Sequence, residues 1–173
     1  MPSFKDIEPF TRSANYHVNV SLDYLEDHIQ RYIKEFDLDL NPDFQRGHVW
    51  NKEKQIKFME FFIRGGKSAT SIHFNHPNWM DSFEGRMVLV DGKQRLEAAR
   101  LFMNNKIPVF GHFLNEFSDH NKLRRFDFDF YVNDLKTRKE VLKWYLDFND
   151  GGVVHSKSEI NKVKKLLEEE ENK

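Results

Sequence analysis

The sequence lacks cysteine, carries almost no net charge and contains no long apolar run. Without cysteine, its 173 residues can form no disulfide, zinc ribbon or thiol nucleophile, which agrees with a cytoplasmic protein. The formal net charge of −1 provides no overall basic field that would attract nucleic acid. No segment approaches the ~20 apolar residues of a membrane span, and residues 1–17 lack the apolar stretch of a signal peptide. We therefore expect no membrane contact.

Phenylalanine, by contrast, is abundant, and the 17 Phe residues are expected to supply much of the core. The length fits a single domain over residues 1–173, with a core at about 16–113 and a C-terminal strand and helical extension at about 114–173. Apolar alternation or short apolar runs predict strands at 16–20, 36–40, 71–74, 86–90, 106–111 and 126–132. Helical spacing predicts helices that begin near Ser21, Asn51, Lys93, Thr137 and Ser156. This mixture predicts an α+β fold.

The motif DGKQR (91–95) stands where a buried apolar strand gives way to a helix. Gly92 would allow a tight turn and a close approach of a ligand to the backbone. The first turn of a helix has unpaired N–H groups and a partial positive charge, and Lys93 and Arg95 add two cations there. Because such a helix end favours phosphate, and arginine can hold a phosphate by two hydrogen bonds, the motif predicts an anion site.

Asp91 leaves three interpretations open. It could hold the two cations in place, or it could coordinate a magnesium ion that accompanies the phosphates. Alternatively, Asp91 is an ordinary helix N-cap, and Lys93 and Arg95 are solvated surface residues. Two cations at a helix N-terminus cost about 0.3–1 kcal/mol each, and a bound anion would offset that cost.

Two other segments look like ligand sites but do not fit the required patterns. GGKS (65–68) resembles the end of a phosphate-binding loop, yet Phe61 stands where that motif needs glycine, and the glycine pair follows a helix. We interpret the pair as a helix stop. His73 and His76 could share a metal, but only Asp81 lies nearby as a third ligand, so His73 is interpreted as a half-buried strand residue.

Three stretches together resemble a known family. DGKQRLEAARLFMNNKIPVF (91–110) resembles the DGQQR segment of domain of unknown function two-six-two, found in phage-restriction proteins. NPDFQRGHVWNKEKQIKFMEFFIRGG (41–66) and YLDFNDGGVVHSKSEI (145–160) are similar to the other two motifs of that family, in the same order. Lys93 departs from the family's usual glutamine. The HNH-type nuclease domain of many members is not found in this sequence.

The resemblance implies a ParB/sulfiredoxin-like superfold: a small mixed sheet flanked by helices, with C-terminal helices. It also implies binding of a nucleoside triphosphate with magnesium and, in some members, NTP hydrolysis that controls DNA cleavage. Sulfiredoxin chemistry is excluded, since it needs a catalytic cysteine. By this resemblance, the catalytic residues are Asp91, Gln45 and Arg46, with Asp91 also as the magnesium ligand. The nucleotide-binding residues are Gly92, Lys93, Gln94, Arg95, Asn149 and Gly152.

Other classes of function stay open at this point. The domain could be a non-catalytic module of a phage or mobile-element protein that binds a nuclease or restriction partner, and it could form oligomers. It could also be a ParB-like DNA-binding or nuclease domain with a local basic patch. The candidate residues for that patch are Lys122, Arg124, Arg125, Lys136, Arg138 and Lys139. In each case, we expect a location in the bacterial cytoplasm, or in that of the host if the protein is phage-encoded.

Overall fold

The computed structural model describes residues 3, 7, 16–45, 47, 50–150 and 157–172. These residues form four β-strands: β1 (Tyr16–Ser21), β2 (Ser71–Asn75), β3 (Val88–Asp91) and β4 (Asp127–Asn133). They also form five α-helices: α1 (Leu25–Phe36), α2 (Lys52–Ile63), α3 (Lys93–Met103), α4 (Arg138–Asp150) and α5 (Lys157–Glu171). Short 3-10 helices lie at Leu22–Tyr24, Leu114–Glu116 and His120–Arg125.

The four strands form one mixed sheet in the order β1-β4-β2-β3. β4 pairs antiparallel with β1 and parallel with β2, while β2 pairs antiparallel with β3. The strand from the C-terminal part of the chain therefore lies inside the sheet, paired on both sides. The predicted α+β fold with a small mixed sheet, flanking helices and C-terminal helices is confirmed.

The sheet separates two hydrophobic cores. The larger core joins the sheet to α1, α2 and α3 through buried side chains that include Ile29, Met59, Leu96, Leu89 and Phe130. The smaller core joins the sheet to α4 and α5 through side chains that include Phe44, Val90, Leu142, Tyr145 and Val163. The adjacent residues Leu89 and Val90 thus belong to different cores, because successive side chains of a strand point to opposite faces.

Two local capping signals in the sequence are confirmed, whereas Ser21 makes no side-chain cap hydrogen bond and α1 begins only at Leu25. Asn51 Oδ1 accepts a hydrogen bond from the Lys54 N–H at 2.9 Å and begins α2. Thr137 and Glu140 form the predicted capping box before α4, with the Glu140 N–H donating to Thr137 Oγ1 at 3.2 Å. Ser156 lies outside the described residues. Within the described ranges, no helix is both long enough and apolar enough to span a bilayer.

Two predicted strands are wrong. At 36–40, α1 continues to Phe36 and ends in a left-handed residue, Asp37, so only Asp39 makes an isolated bridge to Val88. At 106–111, positive φ angles at Phe110 and Gly111 produce a tight turn, which leaves a single bridge between residues 109 and 112. Both segments carry apolar residues into the core without forming a strand.

Candidate functional site

A cleft with a volume of about 460 Å³ opens beside the start of α3. That volume falls in the range of small-molecule sites, about 300–1,000 Å³. Seven of the residues predicted to form the site line this cleft: Gln45, Asp91, Gly92, Lys93, Gln94, Arg95 and Asn149. Arg46 and Gly152, the other two, lie outside the described residues. The structure thus brings together side chains from three distant parts of the sequence.

Gly92 is the N-cap residue of α3 and has a φ of 95°, which strongly favours glycine. A Cβ atom at this position would lie 2.5 Å from Ile72 Cδ1 and 3.2 Å from Ile72 Cα on β2. The missing side chain therefore makes room for the neighbouring strand. Sequence reasoning explained Gly92 by a tight turn and a ligand approach, and the tight packing against β2 was not foreseen.

Asp91 and Arg95 form an ion pair across the corner between β3 and α3. Arg95 Nη2 lies 2.5 Å from Asp91 Oδ2, and both side chains are mostly buried. Arg95 Nε is also buried and has no hydrogen-bond partner among the described residues. The interpretation of Asp91 as the N-cap is wrong, because Gly92 takes that position and no side chain caps α3. By contrast, α2 is capped by Asn51.

Lys93 lies between the cleft and a smaller cavity of about 70 Å³ that Glu97 and Arg100 also line. Burial lowers the pKa of Lys93, while the carboxylates of Asp39 and Glu97 act in the opposite direction. The lysine is therefore partly desolvated and faces two acidic side chains, rather than being an ordinary solvated surface residue.

Gln94 and Gln45 tie the loop before α2 to the corner. The Trp50 N–H donates to Gln94 Oε1 at 3.1 Å, and Gln94 Nε2 donates to the Gly47 carbonyl oxygen at 3.2 Å. Gln45 Nε2 donates to the carbonyl oxygen of Leu89 on β3 at 2.6 Å. The buried side-chain amide of Gln94 therefore holds the loop before α2 in place.

Asn149 closes the cleft from the last turn of α4. Its Nδ2 donates to the carbonyl oxygen of Tyr145, one turn earlier, at 2.7 Å. Tyr145 in turn packs against Phe44, with ring centroids 5.3 Å apart, in the smaller core. Asn149 therefore belongs to a well-packed helix end.

Lys54 and Phe148 are among the lining side chains that sequence reasoning missed. Lys54 Nζ lies 5.1 Å from the centroid of the Trp50 ring and adds a third cation to the cleft. The four-residue spacing of Trp50 and Lys54 at the start of a helix was the available signal. Phe148 lines the cleft beside Asn149 and is 39% exposed. No local pattern distinguishes it from an ordinary core aromatic.

The two histidines considered as metal ligands are packed among aromatic rings. The His73 ring stacks on Tyr131 with centroids 4.9 Å apart, and His76 lies 5.8 Å from Trp79. Burial lowers the pKa of His73, with the charge of Asp91 raising it and that of Arg95 lowering it. In the part of the chain that the structure describes, no group of three histidine or carboxylate side chains could hold a metal ion.

The GGKS segment lies in a different place. Gly65, Gly66 and Lys67 line a separate cavity of about 140 Å³ together with Asp127 and Asp129 of β4. The glycine pair follows the end of α2 at Ile63, as the helix-stop interpretation predicts. The two acids on β4 offset the positive charges of Lys67 and Arg125 in this cavity.

The candidate basic patch is largely neutralised. Five of its six cations form ion pairs: Lys122 with Asp119, Arg124 with Asp23, Lys136 with Asp134, Arg138 with Asp43, and Lys139 with Glu171. These pairs leave little free positive charge for a nucleic-acid backbone.

The mixed sheet and its flanking helices define an α+β domain, with a cleft that three cations line. Residues 24–172 match the family described as the N-terminal domain of the GmrSD restriction endonuclease. The chain therefore belongs to this family, which fits a role in phage defence and confirms the resemblance to phage-restriction proteins. The match names neither domain of unknown function two-six-two nor the ParB/sulfiredoxin-like superfold. No curated protein and no solved structure gives a significant match.

Proposed function

We propose that the cleft binds the phosphates of a nucleoside triphosphate at the N-terminus of α3, and that the chain is a nucleotide-binding domain of a restriction system. The observation that carries this proposal is the start of α3 itself. It has no side-chain cap, and Lys93, Arg95 and Lys54 line the cleft beside it. Among the described lining residues, Asp91 supplies the opposing negative charge.

A phosphate chain would satisfy this arrangement electrostatically. Cations and the positive end of a helix repel each other, and a bound anion would offset this repulsion in addition to the carboxylates of Asp91, Asp39 and Glu97. The guanidinium of Arg95 is held in the cleft wall by Asp91, and its planar donors match two oxygens of a phosphate. The observed convergence of charges thus supports a polyanionic ligand.

Asp91 also fits the magnesium ion that accompanies a nucleoside triphosphate. Magnesium in such sites uses one or two carboxylates together with phosphate oxygens and waters. A single carboxylate beside the phosphate site meets that requirement, since the phosphates and waters supply the other ligands. A magnesium site made by protein side chains alone would need more ligands than Asp91. Asp91 would be the protein ligand, with Arg95 moving from the carboxylate to the phosphates.

Hydrolysis of the nucleotide belongs to the same proposal. The bound magnesium would neutralise charge on the phosphates, while Gln45 lies at the cleft wall, where an amide could orient an attacking water. Arg46 follows Gln45 directly in sequence and would supply a further cation. The relationship to the ParB/sulfiredoxin-like superfold is part of this proposal and is supported by the three ordered motifs.

Calorimetry tests the binding step. ATP, GTP, CTP and UTP are titrated with and without magnesium into the wild type, into Arg95→Ala and into the control Arg31→Ala. Arg31 belongs to α1 and is mostly exposed. We expect a nucleotide to bind wild type and Arg31→Ala equally and Arg95→Ala at least tenfold more weakly, since hydrogen bonds to charged groups contribute about 1.5–3 kcal/mol. Absence of binding below millimolar concentration for all four nucleotides would refute the proposal.

A partner-binding role is the second candidate, and the loop between β2 and β3 favours it. Met80 is 69% and Phe83 44% exposed there, and both have positive φ angles. Exposed apolar side chains on strained backbone suit a protein interface. A pull-down that recovers one stoichiometric protein with the wild type, and not with Met80→Ser, would favour this role if no nucleotide binds.

A further inference from the structure

The cleft that holds the proposed phosphate site is also lined by three aromatic side chains. Tyr145 and Phe148 lie one turn apart on α4, and Trp50 comes from the loop before α2. Tyr145 is buried, whereas Phe148 is 39% exposed although it packs beside the smaller core. An aromatic side chain that is partly exposed inside a cleft suggests that a ligand packs against it.

Phe148 packs against two other aromatic rings. Its ring centroid lies 4.9 Å from that of His73 and 5.8 Å from that of Trp144. His73 belongs to β2 and is the register partner of Asp91 on β3. The exposed ring thus packs against the sheet and lines the same cleft as the proposed phosphate site.

We propose that Phe148 is the stacking platform for the base of the nucleotide whose phosphates lie at the start of α3; this inference rests on the proposed function. The ligand it selects is a nucleotide rather than inorganic polyphosphate. The cleft is lined both by the cations Lys54, Lys93 and Arg95 and by the partly exposed ring of Phe148, so a ligand that uses the whole lining joins a polyanion to a flat apolar face. Every base offers such a face, and aromatic side chains stack on it.

Trp50 is less suited to this role than Phe148. Lys54 Nζ already lies 5.1 Å from the centroid of its ring, and the Phe58 ring packs at 5.4 Å. A base that stacked on Trp50 would have to displace Lys54 from the ring, and the proposed phosphate site would then lose this cation. The geometry therefore assigns stacking to α4 and charge neutralisation to α2 and α3.

The test compares nucleotide with inorganic tripolyphosphate. Both are titrated into the wild type, Phe148→Ala, Phe148→Leu, Phe148→Trp and Phe113→Ala. Phe113 is a matched control because its side chain is 37% exposed and it does not line the cleft. We expect Phe148→Ala to bind the preferred nucleotide about tenfold more weakly, by loss of one stacking contact, and to bind tripolyphosphate as wild type does. Phe148→Trp keeps the nucleotide affinity, and Phe148→Leu, which preserves apolar packing, loses it.

Each other outcome overturns the inference in a recognisable way. If Phe148→Ala and Phe148→Leu bind the nucleotide as wild type does, the platform is wrong while the phosphate site stands. If they lose tripolyphosphate and nucleotide equally, Phe148 is structural. If wild type binds tripolyphosphate as tightly as any nucleotide, no base is recognised. If wild type binds neither compound, the proposed function itself fails, and the platform fails with it.

Discussion

The guanidinium of Arg95 lies 2.5 Å from the carboxylate of Asp91, four residues earlier, and the two close the corner between β3 and α3. The pair places at a helix N-terminus the guanidinium that we propose binds phosphate, and at the same time it neutralises that group. A ligand must therefore compete with Asp91 for Arg95. This competition gives the two residues opposite effects on binding.

Asp91→Asn separates these effects. Without magnesium, we expect the variant to bind tripolyphosphate about threefold more tightly, because a partly buried ion pair worth roughly 0.5–1 kcal/mol no longer occupies Arg95. With magnesium, the wild type should gain affinity for nucleotide and the variant should not. Titrations in magnesium and in chelator measure both effects. Weaker binding of the variant in chelator would contradict this assignment.

Lys54→Ala tests the cation that sequence reasoning missed. We expect a roughly threefold to tenfold loss of nucleotide affinity and a weaker dependence of binding on salt, since one cation near the phosphates is removed. Lys57→Ala is the control on the same helix, because Lys57 pairs with Glu53 at 2.7 Å and does not line the cleft. An equal loss of nucleotide affinity in the two variants would show that Lys54 does not belong to the site.

Gly92→Ala tests whether the corner depends on glycine for packing. A side chain at this position has two costs. The left-handed backbone conformation costs about 1–3 kcal/mol, and the new Cβ atom clashes with Ile72 on β2. Gly111→Ala has a φ of 80° but no heavy atom within 4 Å, so it reports strain alone. In denaturant unfolding, Gly92→Ala should therefore have a lower free energy of unfolding than Gly111→Ala. Equal losses would show that the contact with Ile72 relaxes freely.

The link between α1 and α3 predicts a pH dependence of stability. Arg100 donates two hydrogen bonds to Glu26, both at 2.8 Å, and these lower the pKa of the Glu26 carboxyl. A lowered pKa means that the stabilisation is complete above the ordinary value of 4.5 and is lost as the pH falls through the lowered value.

Glu26→Gln measures this contribution. We expect it to reduce the free energy of unfolding at pH 7, and the difference from wild type to shrink as the pH falls below the ordinary carboxyl value. Glu35→Gln is the control on the same helix, because its side chain is 51% exposed. A difference from wild type that persists unchanged at low pH would mean that Glu26 contributes through packing.

The local features of the fold could be predicted from the sequence because their causes are local. Asn51 caps α2 and the Thr137–Glu140 box begins α4 through contacts three residues apart. The failure at 36–40 has the opposite origin. Alternating apolar residues there suit either a strand or a chain that leaves a helix and buries Leu38, and only the tertiary contacts decide between them.

The candidate site likewise has one part that a local motif predicts and another that depends on tertiary packing. The DGKQR motif locates the cations at the start of α3, since strand, turn and helix follow one another in sequence. Lys54 and Phe148 reach the cleft from elements that lie about 40–50 residues away on either side, and their positions depend on how α2 and α4 pack on the sheet. The contact of Gly92 with Ile72 likewise requires the pairing of β2 with β3, which no short motif encodes.

Leu89 and Val90 are neighbours in sequence, yet Leu89 is buried in the core with α1, α2 and α3, and Val90 is buried in the core with α4 and α5. The strand that leads into the corner is consequently packed on both faces. By contrast, the Phe148 ring on the last turn of α4 is partly exposed. Under the proposed stacking, substitutions on that helix would change the affinity for the base, while the phosphate contacts proposed at the start of α3 would be retained.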